Sequence, residues 1–516
     1  MKKIITLLVI FFALISNSNA SHVAGCDLTY QCLGGNTYQI TLSFYRDCSG
    51  VTADASSTVN FTSSCGSSSV TLSQISGSGA EITSTCPGQT TSCSGGSLYG
   101  LQEYIYQGQV TLSPCADWTM SYTMCCRNPS NTISAPESAD IYIPATLNNV
   151  AAPCNSSPTF SNPPSTIICL GQSFCYNHGA VDPDGDSLSY SFVTPYDDGP
   201  SGSVPNVSYL AGYSALQPLP SSPAVTIDPV TGDICMTPTQ NITTVFSVLV
   251  QEWRDVNGVP TCVGSVLRDM QLTVISCTNQ LPTLAGINPA ATAWSAADSV
   301  YKWYMCAGET LDFSIFSHDA NNPPENLEIT WNSGIPGGTW SVTNNNTPAA
   351  VGQFSWTPGI ADVSNAPHCF TVTVKDNHCP YVGLQAFSYC VYVTGVGVVL
   401  EPPNDTTICS GQPYTITAHP DTSVTSLIWS INGTAVTPQN DTTLVLNTST
   451  LAPGVYTVSV VANGGIASCS GGNSVNITVG PNLNLSITPV NPSLCNGDSV
   501  TLTVNGGGAA TYTWSP

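Results

Sequence analysis

The chain has 516 residues, only 8% of them charged, with 8 Lys and Arg against 31 Asp and Glu. Two of the cations, Lys2 and Lys3, lie in an N-terminal leader, so the remainder carries about −25 (6 − 31). That balance excludes a nucleic-acid groove, which needs clustered Lys and Arg to displace counterions, and it argues against anionic membranes and phosphorylated ligands.

The leader is basic at Lys2-Lys3, apolar from Ile4 to Ile15 apart from Thr6, and polar from Ser16, with small residues at Ser18 and Ala20. This pattern predicts a secretory signal peptide cut after Ala20. The apolar run is too short to span ~30 Å of hydrocarbon comfortably. Val23-Ala24-Gly25-Cys26 fits a lipobox, but Ser16 to His22 separates it from the apolar run, so lipidation of Cys26 is the weaker reading. In an exported chain, 22 Cys read as disulfides. No Cys-x-x-Cys spacing supports zinc, and adjacent Cys125-Cys126 suit two separate bridges.

The first predicted element after the leader is a hairpin. Leu28 to Asn36 leads into Tyr38-Gln39-Ile40-Thr41-Leu42-Ser43-Phe44, where Ile40, Leu42 and Phe44 alternate with polar residues at the period of a half-buried strand. Nine Cys between Cys26 and Cys126 staple a Ser/Gly/Thr-rich segment that has little core of its own. Further on, one motif recurs four times: Cys169-Leu170-Gly171-Gln172, Cys306-Ala307-Gly308-Glu309, Cys409-Ser410-Gly411-Gln412 and Cys495-Asn496-Gly497-Asp498. Each runs into a strand and opens a β-sandwich. Late strands follow at Val245–Val250, His368–Val374 and Gly454–Val460, and Trp429 and Trp514 stand where an Ig-type sandwich keeps its core Trp. No long helical period appears, and 43 Gly and 38 Pro punctuate the chain throughout.

The fold class expected is therefore all-β: tandem Ig-like and cadherin-like sandwiches behind a disulfide-rich β head. The expected organisation is a signal peptide at 1–20, a Cys-rich module at 21–153 and cadherin-like sandwiches at 154–279 and 280–397. An Ig/PKD-like sandwich at 398–481 and a truncated one at 482–516 follow. The two longer modules each carry a mid-domain Thr-Pro, at Thr237-Pro238 and Thr357-Pro358, and in this they resemble the cadherin-like repeats of bacterial surface proteins.

Ser21-His22 through Leu28-Thr29-Tyr30 to Phe44-Tyr45-Arg46-Asp47-Cys48 resembles the N-terminal module of large secreted proteins of Bacteroidota. Asn177 to Asp186 and the closing Thr511-Tyr512-Thr513-Trp514-Ser515-Pro516 resemble later modules of the same proteins. The resemblance implies PKD and Ig-like repeats, an extracellular place at the outer membrane surface, and a gliding-motility-associated or type IX sorting domain further on. Cys26 departs from it, since that position is usually Gly.

Cysteine arithmetic bounds the pairing. Cys409 and Cys469 stand alone in their module and are expected to pair. In the preceding module Cys306–Cys390 is favoured as a first-to-last-strand tie and Cys369–Cys379 as a hairpin tie. Cys495 has no partner before the chain stops, so the protein is expected to continue, and Cys26 is the leftover thiol.

One candidate metal site emerges: Asp182, Asp184 and Asp186 on the tight turn Asp182-Pro183-Asp184-Gly185-Asp186, with Ca2+ as the cofactor and Asp197 and Asp198 in reserve. The competing reading is an ordinary Asp-Gly turn. The equivalent turn His318-Asp319-Ala320-Asn321-Asn322 has fewer carboxylates. No catalytic constellation stands out: the six His are scattered, and His368 and His378 lie beside Cys369 and Cys379, which are expected to be oxidised. Tyr104, Tyr106 and Trp118 are candidates for a sugar-stacking face. The expected function is a non-catalytic, exported, adhesin-like or structural stalk. Its partner is a surface, glycan or protein ligand and not nucleic acid, and membrane association comes only through a later region or the secretion machinery. The alternatives are carbohydrate binding through the N-terminal module, or the front part of a secreted hydrolase.

Overall fold

The computed structural model describes residues 23–164, 167–198, 204–364, 366–411, 413–420, 424–437, 439–464, 469–481 and 485–506. The leader at 1–20, Gln412 and the closing Thr511 to Pro516 with Trp514 lie outside the described residues. The described residues are strands joined by turns, with three short 3-10 turns and no α-helix. They form two compact units: residues up to 303 with 311–356 and 368–390, and residues 304–310 and 357–367 with those from 391 onward.

The first unit opens with β1 (Val23–Gly34), β2 (Thr37–Asp47), β3 (Ser56–Ser63), β4 (Gly66–Gln74), β5 (Ala80–Glu81), β6 (Leu101–Thr111), β7 (Trp118–Met124) and β8 (Ile141–Leu147). It continues with β9 (Thr159–Phe160), β10 (Ile167–Cys169), β11 (Phe174–Tyr176), β12 (Ala180–Val181) and β13 (Ser187–Val193). β14 (Thr226–Ile227), β15 (Ile234–Met236), β16 (Thr243–Val256) and β17 (Val259–Ile275) follow. β2 forms for the reason its sequence gives: Tyr38, Ile40, Leu42 and Phe44 face the core, and Gln39, Thr41 and Ser43 face away.

The expected boundary at 153/154 does not separate two sheets. One sheet runs β1-β2-β6-β4-β3-β7-β8-β17-β16-β13, and β1 also pairs with β17, so seven N-terminal strands and β17 close into a ring. Along its length β17 meets β8 at Gly264–Val266, β1 at Arg268–Met270 and β10 at Thr273–Ile275, while β16 runs beside it. Val266 to Leu272 are buried without a break, because both faces of this strand are covered. Gly25 permits the closure: a Cβ there would collide with the Asp269 carbonyl oxygen.

Buried charge lies along this seam. Arg127 donates two hydrogen bonds to the Asp269 carboxylate, both 2.8 Å, and Ser247 donates to the same group. Asp27 pairs with Arg268 at 3.0 Å and accepts from the Tyr45 hydroxyl at 2.8 Å. Cys26 sits between these pairs, wholly buried and outside any disulfide, and burial pushes its thiol pKa up. An acyl chain has no room at that position.

The rest of the first unit is a sandwich. One sheet orders Thr283–Leu284, Leu311–His318, Val351–Trp356 and Thr339–Thr343; the facing sheet includes Glu328–Trp331 paired with His368–Lys375. Phe313, Phe354, Phe370 and Tyr389 fill its core, with Phe354 stacked on Phe370 at 4.3 Å. The second unit holds a three-stranded sheet (Val398–Glu401, Pro413–Pro420, Thr443–Asn447) and a five-stranded one (Thr406–Cys409, Cys469–Gly480, Gly454–Gly464, Val424–Ile431, Thr434–Ala435). Trp429 is wholly buried in their core, and its indole N–H donates to the Asp441 carbonyl.

All three expected disulfides differ from those observed. Cys409 is free. It lies opposite Gly480, eleven residues (480 − 469) along the strand from Cys469 and so roughly 36 Å away, far beyond bridging distance. Cys469 pairs with Cys306 instead. Cys390 pairs with Cys369, because their neighbouring strands bring the two Cα atoms within 4.1 Å. Cys379 sits in the turn between those strands and reaches Cys86, 293 residues earlier. Cys125 and Cys126 bond to each other and not to two partners.

Candidate functional site

Two carboxylate cradles occupy equivalent places in the first unit, and a repeat in the sequence builds both. Asn155-Ser156-Ser157-Pro158-Thr159 and Asn279-Gln280-Leu281-Pro282-Thr283 each open a module. Thr159 then pairs with Val181 and Thr283 with His318, which places Asp182 and Asp319 immediately after the paired residue. The Asn carboxamide of each repeat donates to an acid 97 residues later: Asn155 to Glu252 at 2.5 Å and Asn279 to Asp376 at 2.6 Å.

In the first cradle, carboxylate oxygens of Asp182, Asp186 and Glu252 lie within 4.8 Å of one another. Asp182 Oδ1 accepts the backbone N–H groups of Asp184 and Asp186, which makes the turn; its Oδ2 is buried without a hydrogen bond. Asp184 accepts from the Ser156 N–H at 2.6 Å. Arg254 pairs with one member of that trio: Nε and Nη2 hold both oxygens of Asp186 at 2.6 and 2.7 Å, and Nη2 also reaches Asn155. Glu252 has 0% of its surface exposed, and the Tyr30 hydroxyl stands 3.5 Å from it. Burial pushes its carboxyl pKa up to about 8 and that of Asp182 up to about 6.

The second cradle has no arginine. Oxygens of Asp319, Glu325 and Asp376 lie within 4.8 Å of one another, and Asp319 and Asp376 are 4% and 3% exposed. Asp319 accepts from the Asn321 N–H at 2.6 Å. Asp376 accepts from Asn279 and from the N–H groups of His378 and Gly383, and burial raises its pKa. Among the described residues, His378 is the one basic group paired with this cradle: Nδ1 lies 2.5 Å from Glu325 Oε1. Glu325 Oε2 is buried without a partner.

A divalent cation of Ca2+ type wants several oxygens and no competing positive charge. The donor set at Asp319, Glu325 and Asp376 fits that demand. The predicted trio Asp182, Asp184 and Asp186 fits it less well, since Arg254 already neutralises two of its members. Sequence reasoning missed Glu252, Glu325, Asp376 and Arg254. The signal for Glu252 and Asp376 was the 97-residue spacing behind each Asn-x-x-Pro-Thr.

The sugar-stacking face does not form. Tyr106 and Trp118 are 2% and 3% exposed and belong to the core, and Tyr104 turns its hydroxyl to Gln102. Cys369 and Cys379 are both oxidised, so neither is a thiolate beside His368 or His378.

The fold and its staples define the class: an all-β protein, rich in disulfides, in which β-sandwich modules follow a closed N-terminal sheet. No family model matches the sequence, and no curated protein matches it. Among solved structures, a three-Ig fragment of titin, I67–I69, aligns at 9% identity over 63% of this chain and 98% of its own, with a TM-score of 0.25. Drosophila N-cadherin EC1-4 aligns at 12% identity over 79% and 94%, with a TM-score of 0.24. The N-terminal four Ig domains of Dscam1 align at 11% over 78% and 96%, with a TM-score of 0.20. At these scores the superpositions carry no argument, and the class rests on the sheets themselves.

Proposed function

We propose that the chain is a non-catalytic exported protein, extracellular or surface-bound, that works as a rigid adhesive or structural element. The observation that supports this reading best is the Cys86–Cys379 bridge, which ties the N-terminal ring to the sandwich 293 residues later. Cys32–Cys154 and Cys169–Cys277 add further ties within the same unit. A chain stapled this way resists unfolding and proteolysis in an oxidising compartment. The ion pairs serve the same end: Arg127 and Arg268, both buried, and the partly exposed Arg254, half of the six cations outside the leader, are all paired with Asp inside the first unit. Ca2+ held by Asp319, Glu325 and Asp376 would add a further cross-link, joining the connection that carries Asp319 and Glu325 to the turn at Asp376 without a covalent bond.

The test is attachment. Inert beads coated with residues 21–516 are counted on cells and surfaces before and after reduction and alkylation. The proposal expects retention by the oxidised chain and loss on reduction; no retention by the oxidised chain sinks it.

A further inference from the structure

Beside the second cradle lies a cleft of about 360 Å³, within the range of ligand sites, about 300–1,000 Å³. Ser84 and Thr85 line one wall; Asn326, Asn346 and Asn377 line the other. The two walls come from opposite ends of the first unit and are fixed to each other. Cys86 is bonded to Cys379, Thr85 bridges Tyr381, the Val382 N–H donates to the Ser84 carbonyl, and the Cys86 N–H donates to the Pro380 carbonyl.

The cleft is polar and nearly without free charge. Glu328 and Lys375 are paired at 2.7 Å across opposed strands. Asp376 already accepts from Asn279, His378 and Gly383. What remains is amide and hydroxyl. The backbones that carry the amides are pinned: the Asn346 N–H donates to the Leu327 carbonyl, and the Asn326 N–H donates to Asn377 Oδ1 at 3.0 Å. The carboxamides of Asn326 and Asn346 and the amide nitrogen of Asn377 make no hydrogen bond within the described residues. Each free carboxamide offers a donor and an acceptor side by side, the pattern that a pair of neighbouring hydroxyls matches. The held backbones confine the ordering that accompanies binding to side-chain rotation.

We infer that this cleft binds a neutral, hydroxyl-rich ligand: a saccharide of two or three sugar units. This deepens the adhesive reading by naming a ligand class, and it places the sugar site between the two walls, away from Tyr104, Tyr106 and Trp118. An anionic ligand meets a chain near −25, and a cationic one finds Glu328 already paired.

The test uses the full chain on an array of immobilised neutral di- and trisaccharides of glucose, galactose, mannose and xylose, in millimolar Ca2+ and again in EDTA. The expected result is retention of at least one saccharide in both buffers, because the cleft's free groups are amides and hydroxyls. Asn326→Ala with Asn346→Gly, the glycine chosen because Asn346 has φ 61°, should weaken that binding about tenfold or more while the melting curve stays unchanged. Silence across the array overturns the inference, as does binding that the double variant leaves intact or that EDTA abolishes. Array binding without bead attachment would sink the adhesive reading alone.

Discussion

Asn279 donates to Asp376 at 2.6 Å, the same bond that Asn155 makes to Glu252 in the preceding module. The two modules then part company over charge. Arg254 pairs with Asp186 in the first cradle, and among the described residues the second has His378 as its one basic partner, beside Glu325. Calorimetric titration of Ca2+ into the full chain should find one site, with a Kd of about 10⁻⁴–10⁻³ M. Asp376→Asn should abolish it, and Asp184→Asn should leave it unchanged. Loss in Asp184→Asn with binding kept in Asp376→Asn would move the site to the first cradle, and binding kept in both would remove it.

The pH dependence follows from Glu252. Burial holds its carboxyl protonated in the fold up to about 8, against an ordinary value of 4.5. Between those values the folded state binds more protons than the unfolded, so stability falls as pH rises through that window. His178, whose pKa burial lowers well below 6.5, pulls the other way below that pH. Urea midpoints at pH 5 and pH 8 should therefore differ less in Glu252→Gln than in the parent chain. An unchanged pH slope in the variant would remove Glu252 from this account.

Arg127 and Asp269 are both about 1% exposed. Asp269→Ala leaves an unpaired guanidinium in the interior and should cost about 3–5 kcal/mol. Replacing both, Arg127→Met with Asp269→Leu, should recover most of the loss. Urea unfolding of the three chains measures it, and a single variant as stable as the parent contradicts the pairing.

Removing the longest staple should be costly without altering the strands. Cys86→Ala with Cys379→Ala should lower unfolding free energy by about 2–5 kcal/mol, while far-ultraviolet circular dichroism stays the same. A midpoint equal to the parent's would show that noncovalent contacts alone hold the two segments.

Local patterns carried the strands; long-range partners were out of reach. The alternation of Ile40, Leu42 and Phe44 identified β2, and the core position of Trp429 followed from its spacing. β17 gave no such signal: residues 266–272 are buried on both faces, so no alternation says which strands lie beside it. Asp182, Asp184 and Asp186 were visible because a turn gathers them within five residues. Glu252 and Arg254 arrive from β16, so the charge that decides the cradle's chemistry is remote in sequence. Cysteine counting failed for the same reason: it assumed closed modules, and Cys379 bonds outside its own.

The most direct measurement is disulfide mapping of the chain, digested without reduction and read by mass spectrometry. The account predicts a linked peptide pair joining Cys86 to Cys379, with Cys369 joined to Cys390. A Cys369–Cys379 peptide, or Cys86 bonded within its own N-terminal ring, would contradict the stapled body on which the proposed function rests.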